Sequence, residues 1–260
     1  MRDLRALVQQ LLPIVDQAGT AIMKIYDGGF TVQHKEDDSP LTLADLESQR
    51  VILEGLKRIT PDVPVLSEES ATAPWAERQT WRELWVVDPL DGTREFVKRN
   101  GEFTVNIALV VDHEPVLGVV SAPAQGLVFW GAQGVGAFTE HRGGKRTPIH
   151  TTAPQRPLRV IGSRSHASKE TAAYLEKVAE HVLTGVGSSL KFCLLAEGKA
   201  DLYPRFGPTS EWDTAAGQAV LQAAGGRVTR SDGHPMRYNC RESVLNGDFI
   251  AFSDPSVLPS

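Results

Sequence analysis

Two aspartates close together at the end of an apolar run are candidate catalytic or metal-binding residues. In the stretch WVVDPLDGTREF, Asp88 and Asp91 stand three residues apart, with Pro89 and Leu90 between them. Strand ends in α/β proteins face the crevice where ligands bind. Two carboxylates and a main-chain carbonyl within four residues form the hard oxygen set that Mg²⁺ prefers. An Asp-rich turn with an N-capping side chain is the equally open alternative at this point.

The residues that follow the two aspartates suit an anionic ligand. Gly92 and Thr93 supply backbone N–H groups where a helix or turn could begin, and such groups commonly hold phosphate oxygens.

Other acidic residues stand near the ends of apolar elements. Glu68 and Glu69 follow the run VPVLS, Asp45 lies near the start of a helical pattern, and Asp213 opens the pattern TAAGQAVLQAAGG. Each has an ordinary explanation as a loop charge, a first-turn helix acid or an N-cap. Their joint occurrence favours a shared metal site, because several clustered carboxylates need cations to neutralise them. Without a His/Cys cluster, the expected ion is Mg²⁺ and not zinc.

The composition is that of an ordinary globular protein. The chain has 260 residues, of which 41% are apolar and 23% charged, and its formal net charge is -5. This charge argues against a broad nucleic-acid-binding face. Apolar runs stay shorter than the roughly 18–20 residues of a membrane span, and Cys193 and Cys240 lack metal-type spacing. We expect a cytoplasmic protein with no disulfide framework.

The acidic residues must be positioned by a mixture of helices and strands. The first half begins with helical patterns at about residues 2–27 and 42–59. Strand-like segments then follow at VPVLS, LWVVD, FTVNIALVV, VLGVVSAP and GLVFWGAQGVGAF. Beyond a Gly- and Pro-rich stretch at 140–157, strand and helix patterns alternate through LRVIGSR, SKETAAYLEKVAEH, KFCLLAEGKADLY and TAAGQAVLQAAGG. We therefore expect an α+β subdomain over residues 1–150 with most metal ligands, and an α/β subdomain over 151–260 with Asp213 and the substrate-binding segments.

Taken together, the motifs resemble those of the inositol monophosphatase superfamily of Mg²⁺-dependent, lithium-sensitive phosphatases. The sequence contains SEE, then DPLDGT, then WDTAAG, in the order and at the separations of that family. The resemblance covers nearly the whole chain and implies a layered α-β-α-β-α sandwich. Within the superfamily the sequence is most similar to the CysQ-type 3'(2'),5'-bisphosphate nucleotidases, through segments such as SPLTLAD, SRSH, GSSLK, YPRFGPT and RESVLN.

The resemblance also implies the site. One Mg²⁺ would be held by Glu68, Asp88 and the Leu90 carbonyl, and a second by Asp88, Asp91 and Asp213, with two or three ions in the site. Thr93, supported by Asp45, would orient and deprotonate the attacking water. The phosphate would contact Glu68, Leu90, Asp91, Asp213 and the N–H groups of Gly92 and Thr93. The second phosphate and the sugar would contact Ser163, Arg164, His166, Gly187, Ser188, Ser189, Lys191 and Arg205.

The implied reaction is hydrolysis of adenosine 3',5'-bisphosphate to AMP and phosphate, a step linked to sulfur assimilation. The partner is then a small nucleotide bisphosphate, with no nucleic acid polymer and no membrane span. A monomer, a homodimer and peripheral association with the inner membrane all stay open. The alternatives are an inositol or sugar monophosphate phosphatase of the same superfamily and a catalytically silent nucleotide-sensing module.

Overall fold

The structure is a computed structural model that describes residues 2–28, 32–34, 40–141, 143–164 and 168–259. Within these residues the α-helices are α1 (Leu4–Gly28), α2 (Leu43–Ile59), α3 (Trp75–Arg78), α4 (Thr93–Val97), α5 (Lys169–Leu175), α6 (Leu190–Ala196) and α7 (Ala215–Ala223). The strands are β1 (Val32–His34), β2 (Pro40–Thr42), β3 (Val65–Ser67), β4 (Glu83–Asp91), β5 (Thr104–Val111), β6 (Glu114–Ala122), β7 (Leu127–Ala132), β8 (Gly136–His141), β9 (Thr147–Ile149), β10 (Leu158–Ser163), β11 (His181–Val186), β12 (Leu202–Arg205), β13 (Arg227–Arg230) and β14 (Phe249–Phe252).

Two large sheets organise the described chain. The first has seven strands in the order β3-β4-β5-β6-β7-β8-β9, and the second has five in the order β11-β10-β12-β14-β13. In the first sheet only β3 and β4 run parallel to each other. In the second, β10 lies parallel to both β11 and β12. The first sheet ends at Ile149 and the second begins at Leu158; the division into subdomains at residue 150 stays a prediction.

The helices cover both faces of the first sheet and separate it from the second. The core on one face joins α1 and α2 to Trp85 and Val87 of β4. The core on the other face joins Leu84 and Val86 to α6, α7 and the inner face of the second sheet. A third core lies between α5 and the outer face of the second sheet. These layers confirm the α-β-α-β-α sandwich expected from the sequence.

Two glycines on the first sheet allow α7 to approach closely. A Cβ at Gly118 of β6 would lie 2.3 Å from the carbonyl oxygen of Ala216, and one at Gly131 of β7 would lie 2.8 Å from the Ala223 Cβ. Larger side chains would therefore push α7 away from the sheet. Because Asp213 lies two residues before the start of α7, this close packing also helps to position an acidic residue of the site.

Several sequence-based element assignments need correction. The third segment of the expected alternation, KFCLLAEGKADLY, contains the helix α6 followed by the start of β12. The expected helix SKETAAYLEKVAEH is helical only over Lys169–Leu175, and β11 starts at its last residue. The segment GLVFWGAQGVGAF forms two antiparallel strands, β7 and β8, and not one. A short apolar run fits both a strand and a buried helix, which explains the error at α6.

Candidate active site

A β-bulge at the end of β4 brings Asp88 and Asp91 to the same side of the sheet. Asp88 pairs with Asn106 and Asp91 pairs with Thr104, so β4 has one more residue than β5 between these two pairs. In a regular strand, residues three apart point to opposite faces. The extra residue reverses the alternation, since Leu90 packs in the α1/α2 core that holds Val87 and Trp85. Both aspartates can therefore face the layer between the two sheets.

The bulge is anchored from two sides. The backbone N–H of Leu90 donates to Asp88 Oδ1 at 3.0 Å. The Ser48 hydroxyl, on the buried face of α2, donates to the Pro89 carbonyl at 2.7 Å. Gly92 follows with φ 89°, a left-handed conformation, and α4 starts at Thr93. A Cβ on Gly92 would lie 3.2 Å from the Glu102 carbonyl oxygen, so glycine suits both the backbone angle and the space.

Asp213 joins the two aspartates of the bulge from the other half of the chain. One oxygen from each of Asp88, Asp91 and Asp213 lies within 4.8 Å of the others. Burial raises the pKa of Asp88 well above its usual range, and the charges of Glu68, Asp91, Asp213 and Asp45 raise it further. Burial, with the charge of Asp91, raises the pKa of Asp213 to about 8. Without a cation, the ionised form of this cluster is therefore disfavoured.

Polar side chains hold two of these carboxylates in place. The Ser189 hydroxyl lies 3.0 Å from Asp91 Oδ2 and 2.8 Å from the Asp213 carbonyl oxygen. Asn106 Nδ2 donates to Ser189 Oγ at 2.9 Å. The backbone N–H of Ser210 donates to Asp213 Oδ2 at 2.7 Å, which closes the short 3₁₀ turn Glu211–Asp213. The carboxylates therefore have fixed orientations.

The cluster fits a metal ion. Asp88 Oδ2 is buried and has no hydrogen-bond partner within the described part of the chain. A buried carboxylate oxygen without a donor is costly, and a cation between it and the neighbouring carboxylates would remove that cost. The donor atoms are all carboxylate oxygens, the type that a hard cation prefers.

A cavity of about 630 Å³ opens onto these carboxylates. Besides the acidic cluster, its lining includes the cations Lys191 and Arg205 and the ring of Phe206. Lys191 is buried, and its ammonium donates to the Ser188 carbonyl. Burial lowers the pKa of Lys191 to about 8, although the charges of Asp91 and other acids oppose this shift. The cavity thus combines a carboxylate cluster with two cationic side chains.

Most of the residues predicted for the site line this cavity: Glu68, Asp88, Leu90, Asp91, Gly92, Thr93, Ser163, Gly187, Ser188, Lys191, Arg205 and Asp213. Asp45 does not line it, but it is buried at the start of α2 and its charge raises the pKa of Asp88. Ser189 lies beneath it, against Asp91 and Asp213. His166 lies outside the described residues.

The Arg164 side chain forms an ion pair with Glu102 and is not among the residues that line the cavity. Its guanidinium donates two hydrogen bonds of 2.7 Å to the carboxylate of Glu102. The same carboxylate accepts a hydrogen bond of 2.8 Å from the Gly187 N–H. Arg164 therefore contacts the base of a cavity-lining loop, and its predicted contact with substrate stays a prediction.

Asn106, Glu102 and Phe206 are site residues that the sequence reasoning missed. Asn106 carried a usable signal, since it is a lone amide in the apolar run FTVNIALVV and is fully buried. A polar residue in a buried strand requires partners, and here those partners are Ser189 and Asp91. Glu102 and Phe206 stand in loops between elements, where no periodic pattern could have distinguished them.

The fold and the carboxylate site define a family. Residues 3–255 match the family model described as the inositol monophosphatase family. The chain therefore belongs to the inositol monophosphatase family, as its motifs predicted.

Individual members of the family give a more specific comparison than the family model. The 3'(2'),5'-bisphosphate nucleotidase CysQ of Salmonella typhimurium is 52% identical over 245 residues, which cover 94% of this chain and 98% of the relative. The protein of the same name from Escherichia coli K12 is also 52% identical over 245 residues, with the same coverage. The crystal structure of CysQ from Bacteroides thetaiotaomicron superposes with a TM-score of 0.84 at 38% identity, covering 95% of this chain and 97% of that one. The predicted resemblance to CysQ-type nucleotidases is confirmed.

Within the described residues, no helix has both the length and the apolar character needed to cross a bilayer.

Proposed function

We propose that this chain is a Mg²⁺-dependent phosphatase that removes the 3'-phosphate of adenosine 3',5'-bisphosphate, with AMP and phosphate as products. The observation that carries the proposal is that one cavity is lined by the carboxylate cluster and by Lys191 and Arg205. The cluster suits the phosphate that is cleaved, and the two cations suit a second phosphate on the same molecule. Two relatives with 52% identity, both named 3'(2'),5'-bisphosphate nucleotidases, support this substrate. The corresponding role is the removal of this by-product of sulfur metabolism.

The metal ligands in this proposal are the carboxylates of Glu68, Asp88, Asp91 and Asp213 with the Leu90 carbonyl. The Asp88 Oδ2 atom, buried without a hydrogen-bond partner among the described residues, would be one of the oxygens that hold the metal. Mg²⁺ bound there supplies positive charge that stabilises the phosphoryl group in transfer and lowers the pKa of the attacking water.

The residues of the chain then position and activate the reactants. The Thr93 hydroxyl orients the water and relays its proton to the Asp45 carboxylate. The location of Thr93 in the cavity lining and the electrostatic effect of Asp45 on Asp88 support these roles. The water oxygen bonds to phosphorus while the bond from phosphorus to the 3'-oxygen breaks, and that oxygen takes a proton from solvent as it leaves. The N–H groups of Gly92 and Thr93 hold the phosphate oxygens.

The second phosphate and the sugar are bound by Lys191 and Arg205, assisted by polar groups of the same cavity. Arg205 Nε is buried and has no hydrogen-bond partner among the described residues, so it can donate to an anionic ligand. Ser163, Gly187 and Ser188 are the remaining predicted contacts that line the cavity.

A substrate panel tests the proposal. Steady-state hydrolysis of adenosine 3',5'-bisphosphate, AMP and inositol 1-phosphate would be compared in Mg²⁺ and in EDTA. We expect kcat/KM for the bisphosphate to exceed that for inositol 1-phosphate, and EDTA to abolish turnover. Equal or faster hydrolysis of inositol 1-phosphate would instead indicate the broader sugar-phosphate activity. Tight binding of the bisphosphate without hydrolysis in Mg²⁺ would indicate a sensing module.

A further inference from the structure

The segment 238–246, here called the clasp, packs against the turn that carries Asp213. It includes the whole motif RESVLN (residues 241–246), to which the proposed reaction gives no role. The Glu211 N–H donates to the Val244 carbonyl at 2.9 Å, and the Asn246 N–H donates to the Thr209 carbonyl at 2.7 Å. The clasp thus pairs with the turn on both sides of Ser210 along the chain.

Asn246 contacts the turn through its side chain as well. Its amide nitrogen Nδ2 lies 2.7 Å from the Ser210 carbonyl oxygen and 3.0 Å from Thr214 Oγ1. A third acceptor, Thr209 Oγ1, lies at 3.2 Å. These three acceptors stand on both sides of Asp213 in the sequence. One buried amide therefore holds the whole turn.

The contact at Ser210 reaches the Asp213 carboxylate directly. The Ser210 carbonyl accepts from Asn246, and the Ser210 N–H donates to Asp213 Oδ2 at 2.7 Å. Fixing Ser210 therefore fixes one oxygen of a carboxylate that lies within 4.8 Å of the Asp88 and Asp91 oxygens.

The other end of the clasp is anchored in the protein interior. The Asn239 N–H lies 2.9 Å from both carboxylate oxygens of Glu211. The Arg78 guanidinium donates to Asn239 Oδ1, and Asn239 Nδ2 donates to the Arg78 carbonyl, each at 2.7 Å. All three side chains are buried. Buried polar groups that satisfy each other favour a single geometry, because any displacement leaves a donor or acceptor without a partner.

We infer that Asn246 is a positioning residue: through Ser210 it holds the Asp213 carboxylate in the orientation that metal binding requires. This inference rests on the proposed function, since it assigns Asp213 to a metal ion. Groups that orient metal ligands commonly change metal affinity by about 10-fold to 100-fold when they are removed.

The test is Mg²⁺ binding by isothermal titration calorimetry, without substrate, for the wild type and for Asn246→Asp and Asn246→Ala. Asn246→Asp keeps the shape of the side chain but replaces the amide donor with an acceptor. We expect both variants to raise the Kd for Mg²⁺ by about 10-fold or more, and turnover to recover partly at high Mg²⁺. The control is Ser243→Ala, because Ser243 lies in the clasp and its hydroxyl accepts from the exposed Leu245 N–H. Its Kd should equal that of the wild type.

The outcomes separate the inference from the function on which it rests. Folded Asn246 variants with a wild-type Kd would overturn the inference but not the proposed function. A lower thermal midpoint in such variants would not rescue the inference, because loss of a purely structural contact would also lower the midpoint. A wild-type protein that binds no Mg²⁺ would overturn both. If neither of these Asn246 variants folds, Asn246→Ser replaces them, since it keeps a small polar side chain but removes the amide Nδ2 that lies 2.7 Å from the Ser210 carbonyl oxygen. It should weaken Mg²⁺ binding, and an unchanged Kd would overturn the inference.

Discussion

Each carboxylate of the site serves the proposed function at a cost to the metal-free protein. Burial and the neighbouring charges raise the pKa values of Asp88 and Asp213, which means that their ionised forms are destabilised in the fold. Cations would offset this cost. The residues of the site are thus arranged for the metal-bound protein and not for the stability of the free chain.

Replacing Asp91 by Asn should lower the catalytic rate without lowering the stability of the metal-free fold. Asp91→Asn removes one charge from the cluster while its side-chain oxygen can still accept from Ser189. We expect kcat to fall by about 100-fold or more, and the thermal midpoint in EDTA to stay at or above that of the wild type, because repulsion in the cluster decreases. Steady-state kinetics and thermal denaturation measure the two effects. Near-wild-type turnover in saturating Mg²⁺ would contradict the metal assignment.

Lys191 gives the site a pH dependence of its own. Because burial lowers the pKa of Lys191 to about 8, its ammonium is present below that pH and is lost as the pH rises through it. A phosphate binds the charged form more tightly.

We therefore expect KM for the bisphosphate to rise between about pH 7 and about pH 9. Lys191→Met has no titrating group at this position, so its KM should be higher at the lower pH and nearly constant over the same range. Initial rates with varied substrate, in buffers of equal ionic strength, measure both profiles. A KM of Lys191→Met that still rises as steeply as that of the wild type would show that another group is responsible.

At the scale of elements, the bulge in β4 and the turn into α4 convert a buried strand into an active site. Val87 and Leu90 face the α1/α2 core, so the intervening Asp88 and the following Asp91 face the opposite layer. Gly92 then leads the chain into α4 with a left-handed backbone, close to the Glu102 carbonyl. The ligand positions therefore depend on one inserted residue and one glycine.

Gly92→Ala tests this dependence, with Gly126→Ala as its matched control. Both glycines have positive φ, but a Cβ on Gly126 would meet nothing within 4 Å, whereas one on Gly92 would meet Glu102. A left-handed backbone costs an alanine about 1–2 kcal/mol, so both variants should lose that much stability. Gly92→Ala should lose more stability than Gly126→Ala, and only Gly92→Ala should lower kcat. Denaturant unfolding and steady-state kinetics measure the effects; a Gly92→Ala variant with wild-type kcat would argue against the turn as a catalytic element.

In the molecule as a whole, the cavity is lined by residues from strands and strand ends of both sheets. Glu102 precedes β5 of the first sheet, whereas Arg164 and Gly187 follow β10 and β11 of the second. The Glu102 carboxylate bonds to both of them, so it joins the two sheets beside the cavity. A Cβ on Gly187 would lie 2.8 Å from the Glu102 carbonyl oxygen, which shows how closely the two parts approach.

Glu102→Gln should weaken substrate binding more than it weakens the fold. It reduces the ion pair with Arg164 and loosens the loop that contains Ser188. We expect KM to rise by roughly 5-fold, which corresponds to about 1 kcal/mol, and the free energy of unfolding to fall by about 1 kcal/mol or less. The control is Asp112→Asn, which weakens the exposed pair with Arg82. If both variants changed KM equally, the connection between the sheets would have no specific role.

Sequence periodicity sufficed for the elements that pack with a regular apolar pattern. α1 buries residues at helical spacing, among them Leu7, Leu11, Ile14 and Ala18, and its position was predicted to within a few residues. β11 was missed because Val182, Leu183 and Thr184 are all exposed at the sheet edge, so no alternation marks the strand. A periodic pattern of apolar residues predicts a helix or strand only where one face of that element is buried.

The chemical types of the site residues could be read from the sequence, because DPLDGT and WDTAAG hold their carboxylates and the glycine within a few residues of chain. The distant groups that act on these carboxylates became known only from the packing of the folded chain. Asp213 reaches Asp91 because α7 packs closely against Gly118 and Gly131, and Asn246 reaches the Asp213 turn because the clasp is anchored in the interior. Such contacts depend on the packing of layers far apart in sequence, and the free energy of that packing leaves no local pattern.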